Sequence, residues 1–274
     1  MTESQHHSAE SNTPPKVPTQ SPNSLPNVGE RRHFYFNDAG QPAYRVTDLT
    51  AEDFLNPLPD DEFQHGPLHD ESVRILSSML HHHYRYSPTV SVHIRPKIIW
   101  ADAALAQPMP DVIVINNLSD QHRHRPILDL VAEQNVAGVQ DVITLRAIFE
   151  VTSPLLAESD LEAKREIYAQ AGVPEYWIID SGLRPQVKTP NFTIMGYHLE
   201  DGHYKPIQPQ SEGHWESKAC RLWLKVEADR QSFQLGDIRT GNPLPLPTQD
   251  DDPSISAQAE ANRRAQSIAG QLKL

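Results

Sequence analysis

Residues 148–180 read IFEVTSPLLAESDLEAKREIYAQAGVPEYWIID. Two apolar runs enclose a polar, helix-like middle. The first run carries a carboxylate, Glu150, where a buried strand should be apolar. Such a charge is unfavourable unless it is paired or holds a cation. Side chains alternate along a strand, so Glu150 shares a face with Ile148 and Thr152, while Phe149 and Val151 point the other way. The run breaks at Thr152-Ser153-Pro154. Ser159 with Glu162 three residues on has the spacing of a capping box, which predicts a helix from near Asp160. Asp160, Lys164 and Tyr168 then share one helical face, and Gly172 stands where a terminating glycine belongs. Val173–Asp180 reads as a strand, buried over Tyr176–Ile179.

Before this stretch, a longer helix is predicted over His69–Tyr84, with Val73, Leu76, Met79 and Leu80 on its apolar face. Asp70 and Glu71 in its first turn and His81, His82 and His83 in its last suit the helix dipole. TVSVHIRP sets Val90, Val92 and Ile94 against Ser91, His93 and Arg95, the pattern of a half-buried strand. PDVIVI (110–115) and DVITLRAIFEV (141–151) are further strands. FTIMGYHL and HYKPI flank a turn containing Gly202 and read as a hairpin. A short helix with Thr50 as N-cap and Asp53 three residues later is expected before them. The fold class is α/β in the broad sense (α+β): a mixed β-sheet flanked by helices, with an added β-hairpin.

The chain has 274 residues, 38% of them hydrophobic, which is enough for one sizeable core. The 24 prolines are unevenly spread, with dense runs near each end, Pro14–Pro26 and Pro243–Pro253. They predict three regions: a disordered Pro-rich arm over 1–32, one domain over 33–240, and a Pro-rich linker with a short C-terminal helix over 241–274. A single cysteine, Cys220, excludes an intramolecular disulfide and a Cys-rich zinc site. The N-terminus shows no signal-peptide pattern and no run reaches the length of a membrane span, so the expected compartment is the cytoplasm, with no membrane partner. A net charge of −12 argues against a protein that coats nucleic acid, but not against an enzyme that meets phosphates locally through a metal.

Asp111 and Glu150 each stand on an otherwise apolar strand, and Lys164 sits early in the helix that follows Glu150. Two carboxylates can hold Mg²⁺ or Mn²⁺, hard cations that share their shell with water and phosphate. The backbone carbonyl of Val151 can add a ligand, and Lys164 can orient a metal-bound water or stabilise the transition state. Each residue also has a plainer reading. Asp111 can cap a turn after Pro110, Glu150 can pair with Arg146 or Lys164, and Lys164 can pair with Asp160 on a solvated face.

Pro110-Asp111, then EVTSP at 150–154, DLEAKREIY at 160–168 and GVPEYWIID at 172–180 resemble the Uma-two family of restriction-endonuclease-like proteins. The resemblance runs from near His69 to the hairpin around Gly202. It implies a PD-(D/E)XK nuclease fold, with Asp111 and Glu150 as the metal acids and Lys164 as the catalytic lysine. In the general nuclease pattern the lysine stands two residues after the second acid. Here that slot is Thr152, and the family pattern moves the lysine to the following helix. His69 and Asp160 are accessory candidates. Arg123 and Arg125, in SDQHRHRPI, are candidates for phosphate contact or for a solvated loop. The expected activity is a Mg-dependent (or Mn-dependent) endonuclease acting on DNA phosphodiesters, with weak or local DNA contact and a homodimer left open. The alternative is a catalytically degenerate nuclease-fold module used for binding or interaction.

Overall fold

The computed structural model describes residues 28–58, 61–118, 126–134, 142–152, 162–184 and 186–246. In chain order the elements begin with strands β1 (Gly29–Phe36) and β2 (Pro42–Leu49), helix α1 (Ala51–Leu55), strand β3 (Asp61–Phe63) and helix α2 (Pro67–Tyr84). Strands β4 (Val90–Ile94), β5 (Lys97–Ile99), β6 (Val112–Asn116) and β7 (Ile127–Asp129) follow, then helix α3 (Leu130–Gln134) and strand β8 (Thr144–Val151). Helix α4 (Lys164–Gln170) leads to β9 (Glu175–Asp180), β10 (Thr193–Glu200) and β11 (His203–Ile207). Strands β12 (His214–Ser217), β13 (Leu222–Val226) and β14 (Phe233–Asp237) close the series.

The centre is a six-stranded sheet in the order β11-β10-β9-β8-β6-β4. Only β8 and β9 run parallel, because α4 carries the chain back over one face between them. The remaining neighbours are antiparallel. Alternation along β8 splits the interior into two cores. Phe149 and Val151 join Leu76, Met79 and Leu80 of α2 with Leu222, Leu224 and Leu235 of the β12–β14 sheet. Ile148 joins Ile113, Ile178, Tyr168 and Tyr176 on the α4 side. The expected hairpin is β10–β11, turned at Asp201 and Gly202, whose φ angles of 49° and 77° suit a two-residue hairpin turn.

Several expectations need correction. Strand β1 begins at Gly29, inside the span expected as a disordered arm, and pairs along its whole length with β2. At the other end Leu244 is buried and donates its amide to Leu235, so packing continues beyond residue 240. Strand β4 is not half-buried in the expected sense. Ser91 and His93 are buried and hydrogen-bonded to each other at 3.0 Å, while Ile94 is exposed. Covering elements on both faces override the alternation. Helix α2 starts at Pro67, a favoured first position. Helix α4 is entered through a wider helical turn at Glu162 and Ala163; its expected start near Asp160 lies outside the described residues. Asp160, the Ser159 cap, Arg123, Arg125 and the C-terminal helix lie outside the described residues.

Candidate active site

The register of two strands brings the acids together. Val112 of β6 pairs with Phe149 of β8, so the next antiparallel position sets Asp111 opposite Glu150. Both then belong to the sheet face that carries Ile113 and Ile148, the face covered by α4. Asp111 Oδ2 accepts the Val151 amide at 2.9 Å. Val151 therefore meets Asp111 through its N–H rather than its carbonyl.

Helix α4 supplies the partners of Glu150. Lys164 and Tyr168 are one turn apart on its inner face. The Lys164 Nζ lies 2.9 Å from Glu150 Oε2, and the Tyr168 hydroxyl donates to Oε1 at 2.7 Å. Glu150 is 1% exposed and Lys164 0%. Of the two partners open to Glu150 from sequence, the structure selects Lys164. Arg146 turns away, donating to Asn116 Oδ1 at 2.6 Å and to the Ala219 carbonyl at 3.1 Å.

Asp111 has its own cations. His69, in the first turn of α2, places Nε2 at 3.1 Å from Asp111 Oδ2. Arg95 places Nε at 3.4 Å from Oδ1 and donates through Nη2 to Asp70 at 2.5 Å. Burial alone would raise the Asp111 carboxyl. The charge and hydrogen bond of His69, with the charges of Lys164 and His65, outweigh it and hold Asp111 well below the usual carboxylate range. For His69, burial pulls the imidazole down, and the charge and hydrogen bond of Asp111 more than reverse this, so it is raised. His65 stacks on His69 with ring centroids 4.3 Å apart.

Thr152, in the slot of the missing strand lysine, is turned toward β9. Its hydroxyl donates to Asp180 Oδ1 at 2.6 Å, and Arg184 holds the same carboxylate at 3.2 and 3.0 Å. The site thus gathers Asp111, Glu150, Lys164 and His69 as expected from sequence. Tyr168, Arg95 and His65 join it unforeseen. Tyr168 had a signal in its spacing from Lys164, but it reads equally well as packing. Among the described residues no group of three or more His, Cys, Asp or Glu side chains could hold a metal ion.

The Uma2 family model, described as "Putative restriction endonuclease", matches residues 62–227. The chain belongs to the Uma2 family. That span holds every described residue of the site, from His65 and His69 to Tyr168. No curated protein matches. Among solved structures, "a putative nuclease belonging to DUF820 from Anabaena variabilis ATCC 29413" is 11% identical, with a TM-score of 0.34, over 61% of this chain and 76% of that one. The Uma2 assignment makes this a restriction-endonuclease-like nuclease by family. Among the described residues no helix is long and apolar enough to cross a membrane.

Proposed function

We propose that the protein is a metal-dependent endonuclease that hydrolyses DNA phosphodiester bonds in the cytoplasm, with Asp111 and Glu150 holding Mg²⁺ or Mn²⁺ and Lys164 assisting the attacking water. The observation that carries this reading is the β6–β8 register, which continued by one residue sets Asp111 opposite Glu150, with Lys164 2.9 Å from Glu150. Two carboxylates fit a hard cation that takes most of its shell from water and phosphate, not one caged by protein alone. When bound, the ion would lower the pKa of a coordinated water and neutralise charge developing on the phosphoryl oxygens.

The chain's own residues do the rest. Tyr168 fixes the orientation of Glu150 through Oε1. The Val151 amide and His69 do the same for Asp111 through Oδ2, while the Val151 carbonyl is assigned as a further ligand. Lys164 orients the water and meets negative charge in the transition state, replacing the strand lysine whose slot holds Thr152. Arg123 and Arg125 are assigned to phosphate contact.

A second reading has one observation in its favour. Both carboxylates already face cations, Lys164 on one and His69 with Arg95 on the other. That suits a nuclease fold kept for binding rather than cleavage. Calorimetric titration with Mn²⁺ separates the two. The nuclease reading expects binding that Asp111→Ala or Glu150→Ala abolishes. Absence of any binding that depends on those residues favours the module.

A further inference from the structure

The candidate site is covered. Asp111 is 5% exposed, and the space beside it is a cavity of about 20 Å³ walled by Phe54, Pro57, Phe63, His65, Arg95 and Met109. Such a volume admits about one water. A phosphodiester does not fit. The cover comes from the N-terminal elements. Phe54 of α1 sets its ring centroid 4.1 Å from the Lys164 Nζ and is itself buried.

These elements form a unit of their own. Among the described residues, strands β2, β1 and β3 pair only with one another. Their apolar core is Val28, Leu49 and Phe54 with Phe63 packed against it. Arg31 braces the unit internally, holding Asp53 of α1 at 3.1 Å and Asp61 of β3 at 2.5 Å. Hydrogen bonds to the rest of the chain are sparse among the described residues: Lys97 Nζ to the Pro57 carbonyl at 3.2 Å, and the Gln107 amide to Asn56 Oδ1 at 3.1 Å. The covalent joint to α2 passes through Gly66, at φ +90°, where an added Cβ would meet nothing within 4 Å. That backbone angle favours glycine, and a position at the end of an element can absorb a change of backbone angle. Residues 28–58 also fall outside the span matched by the family, 62–227.

We infer that the N-terminal unit is an autoinhibitory cover, in which Phe54 plugs the site over Lys164 and Gly66 is the hinge on which the cover opens to admit a nucleic-acid strand. This rests on the nuclease reading of the same site. A small core and few ties keep the cost of detaching the unit low. Closed, it keeps the lysine and both acids from bulk water and from substrate. Open, it exposes them together.

Amine acylation of the full-length protein, mapped by mass spectrometry, reads the cover directly. Lys205, exposed on β11, is the internal reference. Lys164 in the wild-type protein should label at least about tenfold more slowly than Lys205, because labelling waits for local opening. Phe54→Ala should raise Lys164 labelling without moving Lys205, and plasmid cleavage with Mn²⁺ should rise in step. Arg31→Gln, which loosens α1 without touching the site, should act in the same direction and carries the test if Phe54→Ala fails to fold. Faster labelling with no cleavage by any variant upholds the cover and removes the nuclease reading. Wild-type Lys164 labelling as fast as Lys205, or unchanged in the folded variants, overturns the cover.

Discussion

Tyr168 donates its hydroxyl to Glu150 Oε1 at 2.7 Å, one helical turn from the Lys164 that meets Oε2 at 2.9 Å. A carboxylate on a buried strand is thus held at both oxygens by one face of one short helix. The arrangement has measurable consequences.

Tyr168→Phe removes one donor from a buried charge and leaves the ring in place. Hydrogen bonds to charged groups contribute about 1.5–3 kcal/mol. Urea unfolding should show a loss of that order with an unchanged slope.

Lys164→Met leaves Glu150 buried without its cation. Breaking a buried pair from one side costs about 3–5 kcal/mol. The double variant Glu150→Gln/Lys164→Met should lose less than Lys164→Met alone, because no uncompensated charge remains. A double variant less stable than Lys164→Met would mean that the pair is not the main contribution of these side chains.

His65 gives a pH signature. Burial first, then the neighbouring charge of His69, depress its imidazole from 6.5 to about 4, against the pull of Asp111. Between those values the unfolded chain binds a proton that the folded protein refuses, so His65 lowers stability as pH falls through the window. Its contribution is fully present above 6.5. The stability of the wild-type protein relative to His65→Phe should therefore decline from pH 6.5 towards about 4. A difference independent of pH would show that His65 titrates normally. His69 acts in the opposite sense: its raised value gives stability below the unfolded pKa that is lost as pH rises through the folded one.

Gly196 of β10 lies against Trp177, and a Cβ there would overlap the indole ring. Gly196→Ala should destabilise by about 1–3 kcal/mol, as overpacked cores do. Near-ultraviolet circular dichroism should report the displaced tryptophan.

Local patterns carried much of the fold into the sequence. The alternation of β8, the helix face of Lys164 and Tyr168, and the Gly202 turn each depend on neighbours a few residues apart. The pairing of Glu150 with Lys164 was one of two legible options, since both candidates lay within reach along the chain. What the sequence hid depends on contacts between distant segments. Arg95 reads as the solvent side of a strand, yet it leaves β4 with φ +47° and turns onto Asp111 and Asp70. His65 carries no periodic signal at all. The β1–β3 and β12–β14 sheets consist of short strands whose partners only the tertiary structure selects.

The most direct measurement is cleavage of supercoiled plasmid by the purified protein with Mg²⁺ or Mn²⁺, compared with Asp111→Asn and Glu150→Gln. Nicking or linearisation should require the metal and be lost in each variant while the fold is retained. Cleavage that survives both substitutions, or its absence from both the wild-type protein and Phe54→Ala, would contradict the proposed function.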